Sequence, residues 1–365
     1  MIRKICSASK IDLSLPYRRS MPRPVAKRQK NYAELFDHTT FFYDVFRCRD
    51  RIVFSGPPLW DLQGHAKDGE FAVSGQKLDV IFEDKWKTQR SFAVFAGNGG
   101  ELQISSELAQ GTFPISPDEN ELFEGRKVLF TLSRNNKLEW IKDWVEFHVK
   151  VHGVDAVLLY DNKSDLYAVS DLLDVLSGID GIAVAVVTSW PFKYGPSGGS
   201  GDRWDSDFCQ FSAIEHARRR FLASCCGVIN ADIDELVVCE DGETIFDRLE
   251  KSKVGAVTYA GLWLEPVSDL PQPRHRNFRY WSKKREVAAN KWTMVPSALP
   301  DDVQANVHDF GSGFKADFLE NVRYRHFFGI SNDWKYNRSK PAPYDASRHV
   351  VDHDYVRVMK TIGWA

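Results

Sequence analysis

The chain has 365 residues, 43% of them hydrophobic and 13% aromatic, which excludes a wholly disordered chain and allows one large or two modest globular domains. Net charge is −2, but residues 1–30 hold nine Lys or Arg against Asp12 alone, so the remaining chain sits at −10. No run approaches the roughly 18 apolar residues of a membrane span, and no apolar signal-peptide core follows the basic start, so a cytoplasmic protein is expected.

Residues 1–30, polar and broken by Pro16, Pro22 and Pro24, read as a basic flexible tail. Solvation is preferred there; peripheral contact with an anionic membrane is the sharper alternative, and no nucleic-acid partner is expected. The six cysteines show no C-x-x-C spacing and read as reduced, mostly buried thiols. Over residues 31–120, short runs such as "TTFFYDVF", "DRIVF", "LDVIF", "SFAVFAG" and "GELQISS" alternate with Gly, Pro, Asn and Asp, the pattern of a β-rich accessory module.

From about residue 121 the texture changes. "KVLFTL" reads as a buried strand, and a helix follows with Ile141, Trp144, Val145, His148 and Val149 on one stripe and Gly153 as its stop. His148 is accordingly a structural residue. "AVLLY" is the next strand, then an amphipathic helix in "DLYAVSDLLDVLSG", the strand "IAVAVV", and a helix over 206–225 carrying Phe211, Ile214, Phe221, Leu222 and Cys225. Arg218 to Arg220 read as a solvated face, with Arg218 placed to meet a buried acid. Repeated strand–helix units predict right-handed βαβ crossovers in a mostly parallel sheet flanked by helices.

"VINADIDELVV" ends the third unit, so its acids are expected at the carboxyl end of a strand near the middle of an open sheet, where such sheets bind ligands. If the segment is extended, Asp232 and Asp234 share a face and Ile233 points inward. Two such carboxylates without a counter-charge repel, which a hard divalent ion (Mn²⁺ or Mg²⁺) completed by substrate phosphates would resolve. A plain acidic turn is the competing reading. "YGPSGGSGD" (194–202) lacks the Lys-Ser/Thr ending of a phosphate loop and suits a mobile flap. Trp190, Trp204 and Trp263 offer flat faces for a sugar, or simple core packing.

The motifs "SRNN", "EWIKDWVEFHVKVHGVD", "YDNKSD", "QFSAIEHA" and "DIDEL", followed by "KWTMVPS", "NVH" and "RYRHFFGISNDWKYNR", resemble nucleotide-sugar glycosyltransferases of the GT-A fold, family 92-like and family 2-like, over about residues 126–338. Departures are Asn136 where Glu is usual, a "DNKSD" one residue short, and Leu236 in place of Phe. The resemblance implies a Rossmann-like GT-A domain over 121–340 and a C-terminal extension over 341–365. It further implies Asp232 and Asp234 at the metal and donor diphosphate, with Arg134, Asn135, Asn136, Asp161, Asn162 and Gln210 around the nucleoside. His308, preferred, or His326 would be a further metal ligand, and Lys335 with Arg338 a diphosphate clamp. If the reaction inverts, Glu265 in "GLWLEP" is the expected general base. The substrates implied are a nucleotide-sugar donor and a glycan or lipid-linked acceptor. The rivals are a haloacid-dehalogenase-like phosphotransferase, which carries its D-x-D on its first strand, and a glycan-binding protein that has lost turnover.

Overall fold

The computed structural model describes residues 1–97, 99–198, 204–267, 270, 273–284, 287–330 and 343–364. Its centre is an eleven-stranded mixed sheet. In chain order its strands are β1 (Ile2–Ser7), β2 (Lys127–Ser133), β3 (Ala156–Asp161), β4 (Val184–Ser189), β5 (Gly227–Asn230), β6 (Glu235–Cys239), β7 (Ala256–Glu265), β8 (Tyr280–Ser282), β9 (Ala288–Met294), β10 (Asp317–Phe327) and β11 (His349–Val351). Five neighbours, in the order β1-β4-β3-β2-β5, run parallel. Beyond β5 the sheet continues antiparallel through β9 and β7 to β8 and β11, while β10 lies parallel to β7 and antiparallel to β6.

The β2–β4 repeat is built as its hydrophobic runs require. All six residues of β3 are buried, because helices cover both faces. Val157 and Leu159 enter one core with Trp144 and Val145 of helix α1 (Leu138–His152) and Leu172 of α2 (Val169–Ser177). Leu158 and Tyr160 enter the other with Phe211 and Ile214 of α3 (Phe208–Arg220). Gly153 caps α1 in the left-handed conformation, φ 66°, as the sequence predicts. His148 is fully buried, its Nδ1 donating to Trp144 O at 2.8 Å, which is a structural role.

The order of the parallel strands reverses between β2, whose chain crosses to β3, and β5 on its other side. Ser133 pairs in register with Asp161 and Phe130 with Asn230, so the carboxyl ends of these strands open along one edge. A crevice is expected at that switch point.

The N-terminal module holds two four-stranded antiparallel sheets and a two-stranded one, around a core that includes Phe41, Phe42, Phe54, Leu102 and Ile104. "LDVIF" is the exception to its predicted strands, contributing an isolated bridge from Ile81 to Phe92.

Residues 1–30, read from the sequence as a flexible tail, are instead built into the fold. β1 is an edge strand paired with β4 from Ile2 to Ser7. Arg19 is buried and donates to the carbonyls of Pro58, Asp37 and Thr40 at 2.6, 2.9 and 2.9 Å. Arg23 pairs with Asp205 at 2.9 Å. The reason is that buried backbone carbonyls need donors, and a guanidinium satisfies three at once. The same physics corrects the solvated reading of the α3 arginines. Arg218 is buried and donates to Val303 O at 2.8 Å, and Arg220 reaches Asp44 of the N-terminal module at 3.0 Å. The C-terminal stretch is likewise integral: β11 pairs with β8, and Tyr355 and Met359 of α4 (His353–Thr361) enter the α1 core. All six cysteines are free thiols, with Cys226 the exposed one. Among the described residues no helix is long and apolar enough to cross a membrane.

Candidate functional site

A cleft of about 530 Å³ opens at the switch point. Arg134, Asn136, Asn162, Gln210, Asp232, Asp234, Glu235, His308 and His326 all line it, although they lie up to 192 positions apart in the chain. Its remaining wall includes Trp86 and Lys87 from the N-terminal module, with Tyr194, Trp204 and Asp207.

The acidic segment is a turn between β5 and β6 rather than an extended strand. Glu235 N donates to Asp232 O at 2.9 Å, and Glu235 Oε2 accepts from Asp232 N at 2.8 Å. Ile233 is buried as predicted, its carbonyl accepting from His275 Nε2 at 2.8 Å, so the flanking carboxylates are left on the cleft side.

A counter-charge that the sequence reading did not foresee sits beneath them. Lys291 of β9, fully buried, places Nζ 2.9 Å from Asp232 Oδ2 and 3.0 Å from Glu235 Oε2. Burial alone would lower the lysine pKa, but the two carboxylates raise it above the ordinary value. Burial pushes Glu235 up to about 7 against the pull of Lys291. The signal available beforehand was Lys291 opening "KWTMVPS", which carried no assigned role.

Asp234 stands apart from that pair. Its Oδ2 lies 3.1 Å from His326 Nε2, and the His326 ring stacks on Trp263 at 3.6 Å with 16° between planes. β10 delivers His326 there through its register with Glu235. Among the described residues Nδ1 of His326 is buried with no hydrogen-bond partner, as is Nδ1 of His275 in the core. At the rim, His308 Nδ1 donates to Asn290 O at 2.9 Å. The surrounding protein and the charge of Lys291 hold its pKa down at about 4, so at neutral pH Nε2 carries a lone pair.

The donor set therefore fits a hard divalent ion in kind: two carboxylates of one turn and two imidazoles. Among the described residues no three His, Cys, Asp or Glu converge as a preformed shell, so oxygen atoms of a bound substrate and water would have to complete it.

Other expected residues divide. Asn136 donates to Ser133 Oγ at 3.0 Å, and Asn162 donates to Trp190 O and Phe192 O at 2.8 Å each while facing the cleft. Asn135 does not line the cleft. At φ 55° it exchanges hydrogen bonds of 2.9 Å with Asp165, locking the β2–α1 loop onto the β3–α2 loop. Asp161 is buried outside the cleft lining, accepting from Ser164 N at 3.1 Å, with no hydrogen-bond partner for Oδ1 among the described residues. Glu265 is corrected as the general base: it is buried away from the cleft and bound by Arg348 and by His349 Nε2 at 3.1 Å. Burial would raise its pKa, but His349 and Arg348 hold it below the ordinary value, the wrong direction for a base. Trp190 is core and Trp263 supports His326, so of the three expected tryptophans only Trp204 lines the cleft. Lys335 and Arg338 lie outside the described residues, as do residues 199–202 of the Gly-rich loop. That loop begins on a close approach: at Gly195, φ 110°, a Cβ would meet Ser206 O at 2.1 Å.

The chain matches no protein-family model, and no curated protein is similar enough to it to count as a relative. What the site does is therefore argued from its chemistry.

Proposed function

We propose that the protein is a metal-dependent glycosyltransferase of the GT-A type, moving a sugar from a nucleotide diphosphate sugar to a hydroxyl acceptor. The observation that carries this reading is the convergence of the Asp232–Asp234 turn, His308 and His326 with Arg134, Asn136, Asn162 and Gln210 in one cleft at the sheet's switch point. Carboxylates and imidazoles suit a cation and its phosphates; amides and a guanidinium at strand ends suit the polar edges of a base and ribose.

Asp234 and His326 would hold the ion, with His308 able to add Nε2 from the rim. Bound there, a Mn²⁺ or Mg²⁺ ion supplies Lewis-acid stabilisation of the departing diphosphate. Lys291 fixes the orientation of Asp232 and keeps its charge from repelling Asp234. Arg134 offers a planar pair of donors to a phosphate or ribose oxygen. Of the carboxylates lining the cleft, Asp207 is paired with Lys87, and Asp232 and Glu235 with Lys291. Asp309, beside His308, has no ion pair among the described residues, and it replaces Glu265 as the group to accept a proton from an acceptor hydroxyl if the reaction inverts.

The acidic turn follows β5, the last of the five parallel strands in chain order, and leads into antiparallel strands, which favours this reading over a phosphotransferase with its aspartates on the first strand. Donor hydrolysis over a series of nucleotide sugars, with Mn²⁺ and with EDTA, tests it. Release of nucleoside diphosphate should require the ion and fall at least about a hundredfold in Asp234→Ala. Phosphate release from simple monoesters would favour the phosphotransferase, and absence of either activity the binding protein.

A further inference from the structure

The cleft wall opposite in kind to the acidic turn comes from the N-terminal module. A hairpin, Asp84–Lys85 with Thr88–Val94, inserts its two-residue turn Trp86–Lys87 among the cleft residues. Lys87 stands at φ 63°, a left-handed conformation that a lysine keeps only where its surroundings hold it.

They hold it at three points. Lys87 Nζ pairs with Asp207 Oδ1 at 2.8 Å, with side-chain exposures of 5% and 8%. The same ammonium lies 4.2 Å from the Trp86 ring centroid and 4.5 Å from that of Phe211. Thr88 Oγ1 shares a 3.0 Å hydrogen bond with Ser212 Oγ. Asp207, Phe211 and Ser212 all belong to the start of α3, so the turn is fastened to the α/β domain.

Trp86 is the product of this fastening. Its ring stands edge-on to Phe211 at 5.1 Å and 78°, yet the residue is 60% exposed. A single exposed tryptophan is common on protein surfaces. This one differs because a buried ion pair fixes it from beneath and because the cleft it lines also carries the polar side chains of Tyr194 and Gln210. A flat apolar face with hydrogen-bonding groups at its border matches a pyranose ring, whose C–H face stacks while its hydroxyls reach the border. A lipid chain would need a continuous apolar groove, whereas this cleft is lined by guanidinium, amide and carboxylate groups as well as apolar ones.

We propose that Trp86 is the stacking platform of a saccharide-acceptor subsite, so that the N-terminal module selects the acceptor and the acceptor class is a glycan. This rests on the transferase reading for the word acceptor, but saccharide binding itself does not need turnover.

The test uses the full chain without donor or metal, titrated calorimetrically with hexasaccharides of β-1,4-glucose, β-1,4-N-acetylglucosamine, α-1,4-glucose and β-1,3-galactose. At least one should bind, Trp86→Ala should weaken it about tenfold or more, and Trp86→Phe should recover most of the loss. Circular dichroism and melting show that the variants are folded. The proposal is overturned if none of the four binds, if Trp86→Ala binds as the wild type does, or if the variant loses affinity for UDP instead, which would make Trp86 a base platform. Saccharide bound through Trp86 with no nucleotide sugar consumed would sink the transferase reading alone. A donor consumed with acceptor KM unmoved by Trp86→Ala would sink the subsite alone.

Discussion

Two aspartate–histidine pairs in this molecule have similar geometry and opposite surroundings. Asp44 Oδ2 lies 2.8 Å from His216 Nε2 where the N-terminal module meets α3, and Asp234 Oδ2 lies 3.1 Å from His326 Nε2 in the cleft. The first is sealed and complete: Asp44 also accepts from Arg220 at 3.0 Å, Ser9 N at 2.7 Å and Ser116 Oγ at 2.8 Å, and His216 Nδ1 meets the Tyr160 hydroxyl at 2.6 Å. The second is part-exposed and, among the described residues, leaves His326 Nδ1 without a hydrogen-bond partner. A buried polar network with every group satisfied fixes one arrangement of the fold, whereas one left open beside a cleft keeps capacity for a ligand. The same pair of residue types thus closes the core in one place and lines an open cleft in the other.

That contrast breaks most sharply at Asp44. Replacing it with Ala strands the buried Arg220 and His216, so denaturant unfolding should show a loss of about 3–5 kcal/mol. A loss under about 1 kcal/mol would mean that the sealed network is not a structural centre. Next in size is Lys291→Met, which removes the counter-charge of Asp232 and Glu235. Glu235 already sits near neutral pKa and can take up a proton, so about 2 kcal/mol is expected at pH 7, with a smaller loss at pH 6. Equal losses at both pH values would show that the carboxylates do not depend on the lysine.

Acid sharpens the comparison further. Burial lowers the pKa of His152 and His275 to about 4, below the ordinary 6.5, so both are neutral in the folded chain. The unfolded chain takes up protons that the folded one refuses as pH falls below 6.5. Stability present above that pH should therefore drop by about 1.4 kcal/mol per pH unit for each histidine, until the folded pKa is reached. Denaturation midpoints from pH 7 to 4 measure this slope, and His275→Gln should reduce it. The smallest effect belongs to Asp234→Ala. Its pair is part-exposed, so stability should change by less than about 1 kcal/mol while metal-dependent turnover collapses. A large thermal destabilisation there would make the cleft pair structural after all.

Much of the α/β scaffold was legible beforehand for a local reason. The all-buried β3, the stripe of α1 and the Gly153 stop are each written in a few adjacent residues, where periodicity and φ preference act directly. The acidic cluster was legible because charge at the end of an apolar run is costly unless used. Less visible was its shape, since a turn closed by Glu235 and an extended D-x-D share one sequence pattern. Glu265 misled because its spacing after an apolar strand resembles a site residue; only β11, arriving from residues 349–351, shows what it binds.

The sequence by itself determined the strand–helix alternation, the burial of each strand face, and the placing of Asp232 and Asp234 at a strand end. Tertiary structure decided the partners. Lys291 lies 59 positions from Asp232, Arg220 lies 176 from Asp44, and Lys87 lies 120 from Asp207. A lysine or arginine looks the same in sequence whether solvated or buried, because its state depends on which carboxylates the fold brings within a few ångströms. That is why the basic N-terminus became a strand and a carbonyl clamp, and why a hairpin from a separate module completes the cleft.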